Sequence, residues 1–568
     1  MKFFPKFDFY NFLKNSFFYC CLLFSTFIAV AAVEPVEGIK PSGTLPVMYI
    51  NTENSTPVDQ KETYINAEFW IDCYGIDGFE SVGSKEKPQT LGIRGRGNTS
   101  WRHDGQKPYK IKLDKKTELL GMPKNKHWAL LARLTDHHLF NEVLGYELGR
   151  KLDMPFVPQL QPVEVVLNNT YIGLYMLSET VRIDDNRLEI AEQPDMNEDL
   201  STIQDGWLVE MDNNIDPFQV KIPQPQGYNL LITHHTPEVT NKMQDEWLID
   251  QFSQITESIN SDNPFENRWE ELVDMESLAK HLIVQECLQN FDGYLGSCYI
   301  HKDVGGKWCF GPLWDLSASW VYKTEMLAER EEQHLIGEFF KFPAFRKVAR
   351  RIWNEYMQNI GNDWVAPFLS DFRDKIKAGL EQSVKVWPDT QLDADKGSEW
   401  MQRTFTHNSN FNNTYFNENC VTFDVNFIFR DLDTGDSFEN AHSLFDIKIN
   451  DISRNSAVVS KGNPINIKIQ AVGDKFITKC EVNDQTMNFP FSSIAEIELE
   501  NISEDLTITI DITGYNEVEE ITAIPQYVML FVYTLDGRLV MQTKDRDSLN
   551  SLPEGIYVVN GKKVLIHK

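Results

Sequence analysis

A mixed α+β protein is predicted: a strand-rich half, then a helix-rich half, a small β-sandwich and a terminal β module. Three observations carry this. Period-two alternation marks the first part, as in Ile65, Ala67, Phe69 and Ile71. From about Glu238 the apolar spacing turns helical, and Met275, Leu278, Ala279, Leu282 and Ile283 form one core-facing stripe. Past about Phe423 alternation returns in Ile465, Ile467 and Ile469, and in Leu506, Ile508, Ile510 and Ile512. The expected boundaries are residues 1–31 for a signal peptide, 32–420 for the main domain, 421–517 for an immunoglobulin-like sandwich and 518–568 for the last module. The 568 residues suffice for roughly two to four domains, each with its own core.

With 42% hydrophobic and 24% charged residues, the composition is globular. A net charge of −30 repels phosphate backbones, so nucleic acid is not an expected partner. At the N-terminus Lys2, Lys6 and Lys14 precede an apolar run from Phe17 to Val33, with Ala29-Val30-Ala31 as a small-residue cleavage site. This reads as an export signal rather than an anchor, leaving no stable transmembrane span after cleavage. The mature cysteines, Cys73, Cys287, Cys298, Cys309, Cys420 and Cys480, contain no Cys-x-x-Cys pair, so structural zinc is not indicated. Cys298 and Cys309 are read as either a pair or buried thiols.

Val47–Ile50 and Tyr64–Tyr74 read as strands. After them Gly95-Arg96-Gly97-Asn98 combines glycines, which admit close backbone approach, with Arg94 and Arg96. Such a turn can cradle phosphate, although it matches no Walker or dinucleotide fingerprint. In Lys107–Asp114, alternation puts Tyr109, Ile111 and Leu113 on one face and Lys110 and Lys112 on the other. The lysines are read as a solvated edge or as cations facing phosphate.

Asp136 can cap a helix running to about Leu152, with Phe140, Val143, Leu144, Leu148 and Leu152 as its apolar stripe. Glu147 falls on that stripe, needs a partner there, and is assigned Lys110 or Lys112. Glu142 is expected to face solvent. Pro162–Leu167 and Tyr171–Leu177 form a hairpin around Asn168-Asn169-Thr170. Asp205–Asp212 is a strand with Glu210 and Asp212 on one face, and Phe218–Pro237 reads as a loop with short strands.

The most informative stretch is Val284–Trp320. Cys298–Lys302 and Lys307–Phe310 flank the turn Asp303-Val304-Gly305-Gly306, giving a hairpin. Asp292 precedes its first strand and Asp315 follows its second. In-register pairing brings these carboxylates together, where they can orient a nucleophile and bind a divalent cation. The plainer alternative is a capping Asp and a surface-turn Asp. Helices follow over about Phe340–Asn359 and Trp364–Val384, and hairpins are expected at Asp536-Gly537 and over Pro553–Lys563.

Together, Gly95–Trp101, Lys107–Leu113, Leu120–Pro123, Trp128–Leu131, Tyr146–Gly149, Tyr171–Tyr175 and Gly311–Asp315 resemble, in order, the motifs of the CotH kinase family, named for a spore-coat protein. The resemblance implies an atypical, kinase-like main domain that uses ATP and Mg²⁺, or Mn²⁺, to phosphorylate Ser or Thr of a protein. It implies that Asp315 binds the metal and that Asp292 orients the acceptor hydroxyl or takes its proton. Arg96, Gly97, Asn98 and Lys110 or Lys112 are implied to meet the nucleotide, with Glu147 paired to that lysine. Phosphoryl transfer needs cation clamps and one placed carboxylate, which suits this set. Many relatives carry a second Asp two residues after the metal Asp; here Ser317 stands there, and the polar residue expected after Asp292 is Ser297. The alternative function is therefore a catalytically weak, pseudokinase-like surface binding or scaffold protein. The last 50 residues, with Gly537-Arg538 and Pro553-x-Gly555-Ile556-Tyr557, resemble the sorting domain of type IX secretion cargo in the Bacteroidota, implying surface display or release.

Overall fold

The protein is described by a computed structural model covering residues 34–566, apart from 104, 133–135, 215–217, 226, 228, 318–322, 331–333, 389–391, 440–442, 474, 488–491, 515–517, 521–528 and 536. The expected signal peptide, Trp320 and Asp536 lie outside the described residues. Seven strands, β1 (Val47–Thr52), β2 (Ile65–Asp72), β3 (Gln89–Gly95), β4 (Tyr109–Leu119), β5 (Met122–Leu131), β6 (Leu160–Leu167) and β7 (Thr170–Glu179), close into a barrel in the order β1-β2-β3-β4-β5-β7-β6. All neighbours are antiparallel except at the seam, where β6 runs parallel to β1. Alternation along each strand sends one set of side chains inward: Ile50, Phe69, Ile93, Ile111, Trp128 and Leu177 are fully buried. The same alternation turns Lys110 and Lys112 outward from β4.

A second sheet has the order β12-β11-β8-β10-β9, built from β8 (Trp207–Asp212), β9 (Gln219–Pro223), β10 (Asn229–Thr236), β11 (Cys298–Lys302) and β12 (Cys309–Phe310). The β11–β12 hairpin forms as expected, with Ile300 opposite Phe310. The short strands expected within Phe218–Pro237 are β9 and β10, which pair as a hairpin. Pro223 is tolerated because β9 is an edge strand, and Val220, Ile222, Leu230 and Ile232 are buried beneath the helical layer.

The short α1 (Thr99–Arg102) sits on the barrel through Trp101, and the layer proper contains α2 (Asp136–Lys151), α3 (Lys242–Ile259), α4 (Met275–Leu288), α5 (Asp292–Leu295), α6 (Pro343–Asn359), α7 (Val365–Val386) and α8 (Ala394–Asn419). Asp274 caps α4 by accepting from the Ser277 amide, and Gln289 ends it in a left-handed conformation (φ 54°). The asparagine-rich α8 was not foreseen, because its residues have poor helix propensity. Tertiary packing carries it: Met401, Phe405 and Phe416 are buried, and Asn408 donates to the Cys287 carbonyl at 2.9 Å.

Residues 422–514 form two facing sheets around one core that includes Phe427, Ile447, Ile467, Ile497 and Ile510. Thr422–Asp431 and Leu506–Gly514 run parallel in the larger sheet. A last five-stranded sheet spans Val518–Ile566 and has its own small core. Cys298 and Cys309 are both free thiols, like the other four described cysteines. Among the described residues no helix is long and apolar enough to cross a membrane.

Candidate functional site

The site lies where the barrel meets the second sheet and α2. One wall is cationic. β3 ends at Gly95, and the chain turns through Gly97 at φ +81°, a conformation that L side chains rarely adopt. Lys61 Nζ steadies this turn by donating to the Gly97 carbonyl at 2.9 Å and to Asn98 Oδ1 at 3.1 Å. Arg96 is thereby aimed along the surface, its guanidinium 5.3 Å from the centre of the Trp314 ring. Lys110 lies beside it. Burial, followed by repulsion from Arg94, Arg96 and Arg182, lowers its ammonium to about 8. Arg182, just past β7, was not singled out in the sequence; its Nε makes no hydrogen bond and is 3.9 Å from Asp184. Lys112 is exposed.

The other wall is acidic. Asp292 opens α5 two residues after the buried Asn290. Helix α4 fixes that corner: Gln285 accepts from Asn290 Nδ2 at 2.7 Å, and His281 Nε2 meets the Gly293 carbonyl at 3.1 Å. Burial pushes Asp292 up to about 6, helped by the charges of Asp315, Asp212 and Glu210. Asp315 sits at φ 52°, a strained conformation for a residue with a side chain. Its backbone carbonyl accepts from Asn290 at 3.4 Å, and its Oδ1 accepts from Ser317 Oγ at 2.9 Å. The Asp315 loop approaches α2 closely. A Cβ on Gly145 would stand 2.4 Å from Leu316 Cδ1 and 2.6 Å from Leu288 Cδ1, so a side chain there would push both leucine tips aside.

Helix α2 therefore supplies a different acid from the expected one. Glu147 pairs with Arg150 at 3.1 Å and Lys151 at 3.2 Å, and the proposed pairing with Lys110 or Lys112 is not made. The cause is local: bases three and four residues on, at the C-terminal end of the helix, capture it. Glu142 is the acid at the site. Its Oε2 is sealed from solvent, and burial, with the Asp315 charge next, raises it to about 8 against hydrogen bonds from Tyr146 and the Leu316 amide. Arg96 and Tyr146 moderate that shift. Glu142 was expected in solvent because one apolar stripe was assigned to α2. The helix is in fact buried on several sides, against α4, α8 and the Asp315 loop.

Glu210 and Asp212 share a face of β8, as their spacing required, and both act on Asp292. The remaining expected residues fall as follows: Arg96 and Lys110 join the cationic wall, Gly97 and Asn98 shape the turn behind it, and Asp292 and Asp315 come into electrostatic contact.

Among the described residues no three His, Cys, Asp or Glu side chains converge as a self-sufficient metal site. The donors that are present suit a different arrangement. Asp315 and Asp292 repel one another, and the buried Asn290 Oδ1 has no hydrogen-bond partner. Mg²⁺ commonly takes one or two carboxylates and completes its shell with water and substrate phosphate, and this donor set fits that mode.

No curated protein sequence matches the chain. The sequence model of the family described as CotH kinase protein matches residues 93–418, more than half of the chain, and that span contains both walls. The family is one of atypical protein kinases, which implies a nucleotide and a divalent metal. With the match covering the barrel turn, Lys110, Asp292 and Asp315 alike, the chain belongs to the CotH kinase family.

Proposed function

We propose that this protein transfers the γ-phosphate of ATP to a Ser or Thr hydroxyl of a protein substrate, with Mg²⁺ or Mn²⁺, outside the cytoplasm. The observation that carries the reading is the opposition of the Arg96–Lys110–Arg182 wall to the Asp292–Asp315 pair. The cations neutralise and orient the phosphates; Arg96, stacked on Trp314 beside the Asp315 loop, bridges the two walls. Asp315, with the Asn290 amide oxygen and Asp292 close by, would hold the metal, which supplies further charge neutralisation when bound. Asp292 orients the acceptor hydroxyl and accepts its proton as the new O–P bond forms and the bond to the leaving ADP breaks. A carboxylate held near 6 is ionised at neutral pH yet basic enough for this task. The corner fixed by α4 keeps it in place.

Export rests on the basic-then-apolar N-terminal segment, and surface display or release on the resemblance of the last strands to a type IX sorting module. One observation favours the second reading, a pseudokinase-like binding or scaffold protein: Ser317 replaces a carboxylate and its hydroxyl engages Asp315 Oδ1. Intact mass after incubation with ATP and Mg²⁺ or Mn²⁺, beside Asp315→Asn, separates the two. Added phosphate in the wild type alone supports the kinase. No added mass in either, with no nucleotide-induced thermal shift, supports the binding protein.

A further inference from the structure

A cavity of about 560 Å³ opens on the outside of the barrel at the seam where β6 meets β1, and the kinase reading makes no use of it. The strand order puts β1 three strands from β4, so the seam lies across the barrel from Lys110. Register builds the cavity floor. Tyr49 on β1 points outward between the buried Met48 and Ile50, and its partners on either side are Trp70 of β2 and Val166 of β6. Its ring stacks on Trp70 at 4.8 Å with only 9° between the planes. The other ring face therefore turns toward the short Val166 side chain, and there the cavity opens. The walls are fixed by one acid. Glu164, wholly buried, accepts from the Ser42 amide at 2.9 Å, from Ser42 Oγ at 2.6 Å and from Tyr171 Oη at 2.5 Å. It thereby ties to the barrel both the segment around Ser42 and Tyr171, which line the cavity. Tyr74 lines it too: 55% exposed and at φ 49°, it is held with its hydroxyl 2.6 Å from that of Tyr49. Asn169, in the β6–β7 turn, and Lys40 are exposed and complete the rim.

We infer that this cavity binds a pyranose ring of a glycan, with the sugar's C–H face on Tyr49 and its hydroxyls meeting the Tyr49–Tyr74 hydroxyl pair, Asn169 and Lys40. The lining selects this class of ligand. A pyranose has an apolar face and a polar edge, which matches an aromatic body rimmed by hydroxyl, amide and ammonium groups. One tyrosine hydroxyl donates to the other, so one hydrogen and spare lone pairs remain for a ligand. Inorganic phosphate would leave the ring face unused, and a wholly apolar ligand would bury the hydroxyls and the amide without partners. A proline-rich peptide fits an aromatic-lined groove; here polar groups bound a single stacked ring. The volume falls within the range of about 300–1,000 Å³ usual for small-molecule sites. The inference is independent of the kinase reading, since no residue of either wall takes part.

The test is saturation-transfer NMR on the full chain with cellotriose, chitotriose and trigalacturonate. At least one should bind with a Kd of about 5 mM or tighter, with transfer strongest at the ring C–H protons. Tyr49→Leu keeps apolar bulk beside Trp70 and removes the ring face; it should weaken that sugar by at least about tenfold. Asn169→Gly suits the left-handed turn at φ 67° and removes the amide; it should weaken the sugar by at least about threefold. Circular dichroism and melting temperature show which variants are folded, and Asn169→Gly decides if Tyr49→Leu is not. Mg·ATP should leave the sugar in place. Absence of transfer to all three sugars overturns the inference, as does transfer that is unaltered in a folded Tyr49→Leu or Asn169→Gly. Displacement by Mg·ATP would put the sugar at the nucleotide site and overturn it too. Binding of decaproline with no sugar bound, lost in Tyr49→Leu, would assign the cavity to a peptide instead. Phosphotransfer in the wild type, present or absent, bears only on the kinase reading.

Discussion

Asp292→Asn offers the sharpest check on the site. The folded protein raises this carboxyl from 3.8 to about 6, chiefly through burial and then through Asp315, Asp212 and Glu210. A raised acid binds its proton more tightly in the folded state. Its stabilising contribution is complete below about pH 3.8 and is lost as pH rises through about 6. At ~1.36 kcal/mol per pH unit, the displacement corresponds to about 3 kcal/mol. Solvent at a part-exposed carboxylate screens this to ~1–2 kcal/mol. Asparagine keeps the shape and loses the charge. The variant should therefore match wild type at pH 4 and exceed it by ~1–2 kcal/mol at pH 8, while phosphotransfer falls by about 10²-fold or more. Chemical denaturation across pH 4–8 in chelator, beside intact-mass phosphorylation assays, reads both. A stability difference that is flat with pH, or an Asn variant weaker at pH 8, would refute the reasoning that Asp292 is held against its neighbours' charge.

Four further outcomes follow from the structure. Lys110→Met should weaken Mg·ATP binding by at least about tenfold, whereas Lys112→Met, at an exposed position, should change it less than about twofold, read by calorimetric titration. Glu147→Gln should leave nucleotide affinity unchanged and cost under about 1 kcal/mol, since its partners are helix neighbours. Glu142→Gln should remove a loss of stability that wild type suffers as pH rises through about 8; equal pH profiles would return Glu142 to solvent. Lys323→Met should destabilise by about 3 kcal/mol, because Lys323 pairs with Glu286 where both side chains are wholly buried. Glu286 also accepts from Tyr294 and the Leu327 and Ala328 amides, so this pair fastens the chain after the Asp315 loop; a loss under about 1 kcal/mol would contradict that.

Local pattern was enough for the elements whose identity depends on short-range chemistry. Period-two alternation in Tyr109–Leu113 placed both lysines outside the barrel. The Asp303–Gly306 turn set the β11–β12 hairpin. The order of the motifs from Gly95 to Asp315 pointed to the family that the match over residues 93–418 shows. Where pattern failed, a second surface was acting. Alternation cannot reveal that β9 and β10 would be covered by a helix, nor can propensity foresee an asparagine-rich α8 held by the groups it packs against.

The acids show the division most clearly. By itself the sequence determined which carboxylates exist, and that Glu210 and Asp212 share a face, because strand geometry fixes that spacing. Only the tertiary structure decided that Glu142 meets Asp315 while Glu147 stays with Arg150 and Lys151. A helix wheel ranks faces by hydrophobicity, and α2 is buried on more than one side. Charge interactions depend on distances across elements remote in sequence, and those distances arise only when the barrel turn, α2 and the Asp315 loop close on one another.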